Sequence, residues 1–179
     1  MTEEVIMDGR SLAEALDQIR TSIADRFRNA TGLGLIGIRT RGEYLARRLA
    51  AALEPALTMR IAVGALDITV HRDDFDALQE QIKVKGSQID FDPGGRPIVL
   101  VDDVLYTGRS VRAAIDAVMA LGRPSVIALA VLVDRGYREL PIRADFVGRE
   151  VATTREQKVR VQLEEVDGVD RVLLVGMPA

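Results

Sequence analysis

Asp102 and Asp103 stand side by side in the stretch VDDVLYTGRS, and Tyr106-Thr107-Gly108-Arg109-Ser110 follows almost at once. Adjacent carboxylates can accept hydrogen bonds from hydroxyl groups, lie beside a divalent cation, or stabilise developing positive charge. The residues after them suit the opposite charge. A turn containing Thr107, Gly108 and Ser110 opens into the apolar-periodic run SVRAAIDAVMALG. Such a helix start presents unpaired backbone N–H groups, and a glycine there lets an anion come close to the main chain. A plain polar turn with a capping Ser110 would explain the serine but not two acids at the end of an apolar strand. A ligand with hydroxyls or a metal on one side and a phosphate on the other explains both.

Other chemistry finds little support. GLGLIG, Gly32 to Gly37, matches G-x-G-x-x-G by letter, but its glycines lie before and within a strand rather than opening a helix, so a dinucleotide site is rejected. No G-x-x-x-x-G-K-[ST] occurs. The one histidine, His71, sits in a polar stretch and reads as a surface side chain. The chain has no cysteine, which excludes a disulfide framework and a thiolate zinc site. Arg135, Arg138, Arg143 and Arg149 cluster between Asp134 and Glu150 with acids among them. This pattern reads as a solvated face, with an anion-binding face as the alternative.

These residues need a frame. With 179 residues, 47% of them hydrophobic and 28% charged, the chain is long enough for one soluble domain with a real core. A net charge of −3 gives no global sign of nucleic-acid binding. No apolar run matches a bilayer, and the opening MTEEVIMDGR lacks a signal-peptide pattern, so a cytoplasmic location with no membrane partner is expected. SLAEALDQIRTSIADRF places Leu12, Leu16, Ile19, Ile23 and Phe27 on one helical face, with Ser11 and Glu14 as a capping box. LGLIGI (Leu33 to Ile38) reads as a buried strand, GEYLARRLAAALE as a helix burying Leu45, Leu49 and Leu53. MRIAVGALDI, IVLV and SVIALAVLV read as strands, and SVRAAIDAVMALG as a helix ending at Gly122. ADFVG, KVRVQL and RVLLV are short strands near the end.

Non-alternating strands separated by helices predict an α/β fold, a mostly parallel sheet covered on both faces. Ligands then bind beyond the strand ends, so the loops after Ile38, Leu66 and Val101 should hold the site. The long polar stretch from His71 to Gly95 is predicted to be a lid, with a hairpin through Gly86.

5-phosphoribosyl 1-diphosphate has the required hydroxyls and terminal phosphates. Four or five apolar residues, two acids, a short spacer and T-G-x-[ST] make VDDVLYTGRS resemble the signature of type I phosphoribosyltransferases. VGALDITVHRDD, LGRPS and LAVLVDRGYRELPIRADFVG narrow the resemblance to the PyrR family, from about Leu12 to about Val166. The family combines uracil phosphoribosyltransferase activity with regulation of pyrimidine operons through messenger RNA. The resemblance implies a type I phosphoribosyltransferase fold with a small hood, formed by about 134–160 and the N-terminal segment. It also implies Mg²⁺, UMP as product, and a homo-oligomer. A UMP-responsive RNA-binding attenuator with incidental catalysis, or a transferase for another base, are the alternatives.

Carried onto this chain, the resemblance gives Thr40, Arg41 and Gly42 to the diphosphate, with Arg41 catalytic and Gly42 allowing close backbone approach. Arg72 and Asp73 would help close the lid. Asp102 and Asp103 would take the ribose hydroxyls, with Mg²⁺ nearby, and Val104, Leu105, Tyr106, Thr107, Gly108, Arg109 and Ser110 would line the 5-phosphate side. Backbone groups near Val133, Arg135 and Val159 would read the base. Arg26, Arg138, Arg143 and Arg149 would face leader mRNA. Asp17, Gln18 and Thr21 replace the family's usual threonine, arginine and histidine, and Tyr137 replaces a histidine. RNA binding is therefore expected to be weakened or differently specified, because an aspartate repels phosphate.

Overall fold

In the computed structural model, residues 2–68 and 87–176 are described. Of the predicted lid, His71, Arg72, Asp73 and Gly86 lie outside them. The remainder, 87–95, is fastened to the body. Gln88 and Ala65 exchange two backbone hydrogen bonds of 2.8 Å, and Asp67 donates its N–H to the Ser87 hydroxyl.

Five strands form an all-parallel sheet in the order β3 (Ile61–Leu66), β2 (Leu33–Ile38), β4 (Pro97–Leu105), β5 (Val126–Asp134) and β6 (Phe146–Glu150). Alternation within each strand explains their unbroken apolar runs. Leu33, Leu35, Val99, Val101, Ala128 and Ala130 leave one face, where they meet helices α1 (Gly9–Phe27) and α2 (Arg41–Leu57). Ile36, Ile38, Ile98, Leu100, Leu129 and Val131 leave the other, against α3 (Arg109–Leu121). With apolar layers on both faces, polar residues enter these strands only toward their carboxyl ends, as at Asp102, Asp103 and Asp134.

Helix α1 starts earlier than Ser11. Asp8 is the cap, its Oδ1 accepting from the Ser11 N–H at 2.8 Å and the Ser11 hydroxyl at 2.7 Å. The expected Ser11–Glu14 box is therefore replaced, since Glu14 pairs with Arg10. Ala15 rather than Leu16 completes the buried stripe with Leu12, Ile19, Ile23 and Phe27. Leu45, Leu49 and Leu53 are buried on α2 as expected, and α3 ends at Gly122. No helix among the described residues is long and apolar enough to cross a membrane.

A second, three-stranded antiparallel sheet joins β1 (Thr2–Met7), β8 (Arg171–Gly176) and β7 (Lys158–Gln162), with the short helix α4 (Glu164–Asp167) between the last two in sequence. This is the small hood, and its limits differ from those expected. β6 pairs with β5 and belongs to the main sheet, so the hood is built from the first strand and the chain after β6.

Arg48 of α2 ties the hood to the body. Its guanidinium reaches Glu165 at 2.6 and 2.8 Å and Asp170 at 2.7 and 2.8 Å. The Arg48 hydrogen bonds hold the Glu165 and Asp170 carboxyls below their ordinary values, outweighing the opposing effect of burial. Because the folded-state pKa values are the lower ones, this stabilisation is complete above the unfolded carboxylate range and is lost as pH falls through the folded values. Arg48→Met should therefore lower the urea midpoint at pH 7, and its deficit relative to wild type should shrink below the ordinary carboxylate range. Urea titrations at a series of pH values check this; a deficit independent of pH would rule it out.

Candidate functional site

The chain runs from β2 outward to β3, then returns to place β4 on the other side of β2. The loops leaving β2 and β4 therefore diverge and open a crevice at the strand ends. Register sets their relative height. Gly37 lies beside Val101, so Ile38, the last residue of β2, stands level with Asp102 of β4.

Glycines make this junction close. A Cβ on Gly37 would collide with the Gly42 carbonyl oxygen, and a Cβ on Gly42 would collide with the Val101 carbonyl oxygen. The start of α2 thus rests directly on β2 and β4. Gly42 is buried here, and its missing side chain accommodates β4. Thr40 is exposed at the N-cap position and its side chain makes no capping bond. The Arg39–Thr40 peptide is cis. Arg39 bonds Glu43 at 2.9 Å and donates its backbone N–H to the Leu66 carbonyl.

β4 continues through both acids to Leu105, rather than stopping before them. Strand alternation turns Asp102 and Asp103 to opposite faces, which removes the side-by-side repulsion their adjacency suggests. Asp102 is buried and accepts the Asp103 N–H at 2.9 Å; Asp103 is partly exposed and accepts the Val104 N–H at 2.9 Å.

The turn from Tyr106 to Ser110 has its carbonyls facing inward. Leu105 O accepts the Arg135 N–H, and Thr107 O accepts the N–H groups of Glu139 and Leu140. Arg138 donates to Tyr106 O at 2.8 Å, to Gly136 O and to Ile142 O, and it pairs with Asp134. The carbonyls are thus engaged behind the turn; at the start of α3 the Arg109 N–H donates to the Thr107 hydroxyl at 3.4 Å, and a helix start of this kind favours an anion. Gly108 has φ of +92° and caps α3 in the left-handed region, where a side chain is strained. Arg109 is exposed and paired with Glu139.

Of the residues expected near the base, Val133 is fully buried inside the sheet, between Val104 of β4 and Arg149 of β6. Val159 lies on β7, an edge strand, where alternate backbone groups point away from the sheet. Arg135 is buried. Its Nη2 donates to Thr154 O, its guanidinium lies 4.1 Å from the Tyr106 ring centroid, and its buried Nε bonds to no described residue.

The expected RNA face is largely spoken for. Arg26 bonds Asp145 at 2.5 Å and lies over the Phe27 and Phe146 rings. Arg149 donates to Ile6 O, and Arg138 braces the turn behind β4 as above. Arg143 is exposed and lines a cavity of about 590 Å³ with Tyr137, Asp134, Glu150 and Thr153. Tyr137 donates its hydroxyl to Thr153 O, and Asp17 is paired with Arg20.

Sequence reasoning missed Asp167. It grips the Arg41 guanidinium in a fork, Oδ1 to Nη2 at 2.9 Å and Oδ2 to Nε at 3.2 Å. Burial pushes the Asp167 carboxyl up, but the Arg41 and Leu163 N–H bonds outweigh this and hold it below its ordinary value. The signal was present: Arg41 and Arg48 lie two turns apart on one helix, and Glu165, Asp167 and Asp170 crowd one short segment.

Residues 6–166 match the phosphoribosyl transferase domain family. The chain is 51% identical to a bifunctional protein PyrR of Roseiflexus sp. (strain RS-1), covering 100% of this chain and 98% of the relative. A bifunctional protein PyrR of Thermus aquaticus is 51% identical, covering 94% and 93%. The hypoxanthine phosphoribosyltransferase of Trypanosoma cruzi shares the fold with a TM-score of 0.74 at 12% identity, covering 97% of this chain and 96% of that one.

Proposed function

The chain belongs to the PyrR family of type I phosphoribosyltransferases, and on that premise we propose how its crevice converts uracil and 5-phosphoribosyl 1-diphosphate into UMP and diphosphate. The observation that carries the reading is the placement of Asp103 level with the loop after β2 and directly before a turn whose carbonyls face inward. One elongated ligand with a sugar at its centre and phosphates at both ends fits that sequence of donors and acceptors.

The 5-phosphate lies against Thr107, Gly108, Arg109 and Ser110, where N–H groups and hydroxyls donate to it. Asp103, partly exposed, accepts from the ribose hydroxyls, and the buried Asp102 holds the Asp103 backbone in place. Thr40 and Arg41 face the diphosphate. In the reaction the base nitrogen forms its bond to the anomeric carbon as the bond to diphosphate breaks, and the proton of that nitrogen passes to water or the departing diphosphate. Positive charge develops on the sugar near Asp103, while Arg41 stabilises charge on the departing group. The base lies toward the β7 edge at Val159 and the backbone around Arg135.

Mg²⁺ fits this donor set as an ion carried with the substrate. Among the described residues no group of three or more metal ligands exists, and Mg²⁺ commonly uses one or two carboxylates together with substrate phosphates and water. Asp103, the more exposed of the two acids, would stand beside it, and its charge would offset that of the diphosphate.

The regulatory half of the reading is narrower. Arg143 beside Tyr137 offers a cation and a ring at one cavity, while Arg26 and Arg138 are committed to Asp145 and Asp134. RNA contact is thus reduced to a smaller patch, and weak leader binding follows. A homo-oligomer in the cytoplasm completes this reading, on family grounds.

Asp103→Asn should cut kcat for UMP formation by about 100-fold or more while leaving the thermal midpoint near wild type, as loss of one transition-state contact does. Steady-state assays with Mg²⁺ and a panel of bases test both the residue and the base; full activity in the variant would remove Asp103 from the site. For the second activity, gel shifts of a pyrimidine-operon leader should show weak binding with little enhancement by UMP. Tight, UMP-enhanced binding would overturn the narrowed interface.

A further inference from the structure

We infer that Asp167 is a positioning residue for Arg41, through which the hood presets the grip on the diphosphate; this rests on the role proposed for Arg41 above. The two residues are 126 positions apart and belong to different parts of the fold, yet three contacts join them, at 2.9, 3.1 and 3.2 Å. Both side chains are mostly shielded, with exposures of 28% for Arg41 and 16% for Asp167, so the pair is more than a surface contact.

The fork occupies Nε and Nη2 of Arg41. Nη1 donates to no described residue, so its two hydrogens remain for a ligand. A long arginine loses considerable rotamer freedom when it is fixed, and a carboxylate that fixes it beforehand lowers that cost at the moment of binding. Asp167 is itself anchored. Its Oδ2 accepts the Leu163 N–H at 2.9 Å, its own N–H donates to Leu163 O at 2.7 Å, and the Leu163 side chain is fully buried. Arg48, further along the same helix, holds Glu165 and Asp170 on either side of Asp167, which sets the helix and the hood segment in one register.

A carboxylate beside Arg41 also has an opposing effect, since it repels the incoming anion. The two effects predict opposite signs. Positioning predicts weaker ligand binding when Asp167 is neutralised, and electrostatic competition predicts stronger binding.

Isothermal titration of Asp167→Asn with 5-phosphoribosyl 1-diphosphate, with diphosphate alone and with UMP, all in Mg²⁺, separates them. Asn keeps an acceptor for the Leu163 N–H. Kd for the first two ligands should rise about tenfold or more, and Kd for UMP, which carries no diphosphate, should stay within about twofold. Asp167→Glu should recover part of the loss, and Arg41→Ala combined with Asp167→Asn should bind no worse than Arg41→Ala alone. Unchanged or tighter diphosphate binding would overturn the inference. So would equal weakening of all three ligands with a lowered thermal midpoint, which marks a purely structural prop. A wild-type protein that binds diphosphate but makes no UMP from uracil would sink the reading above and leave this comparison standing; one that binds no diphosphate would sink both.

Discussion

Backbone contact without an intervening side chain underlies the site. Gly37 of β2 lies against Gly42 of α2, and Gly42 lies against the Val101 carbonyl of β4. This brings the start of a helix, the end of one strand and the approach to a second strand's acids within main-chain reach. The polar groups of the crevice gain their placement from this contact. Thr40 and Arg41 cannot sit level with Asp102 unless the two strands are in register, and register is meaningful at this range only because the helix start is seated on both.

Two further devices keep polar groups facing the right way. Behind β4, Arg138 and the N–H groups of Glu139 and Leu140 take up carbonyls of the turn, so the side proposed for the 5-phosphate is the one opposite these satisfied groups. Beside α2, three hood carboxylates hold two arginines, and the small sheet is fixed to the body through charge rather than a large apolar contact alone. The hood strands still contribute Val161, Leu163 and Val172 to the main core. Apolar packing keeps the hood on the body, and the arginine forks set its exact seating at the crevice.

The fold was largely legible because its sheet is buried on both faces. LGLIGI, IVLV and SVIALAVLV can be little else than inner strands, and Leu45, Leu49 and Leu53 mark their helix by spacing. The turn into α3 was legible for a similar reason, since glycine at φ of +92° and flanking hydroxyls leave a local imprint. What could not be read were relations across the chain. Asp167 meets Arg41 only after folding, Val133 is enclosed by two strands far from it in sequence, and β6 joins the main sheet although it follows the basic cluster directly. The acids of VDDV suggested a matched pair, and only the extension of β4 shows them turned apart. Ser11 lost its capping role to Asp8 by three residues, because both are good caps and the local pattern does not rank them.

The internal use of arginines has a consequence for how this surface meets polyanions. Arg26 and Arg138 are each neutralised by an aspartate, and Arg20 is held by Asp17. A nucleic acid laid on this face would exchange condensed counterions chiefly for Arg143 and Arg149, because the other cations already have carboxylate partners. Attraction from a distance would then be modest, with a shallow dependence on ionic strength. Any selectivity would have to come from ring stacking and shape at short range.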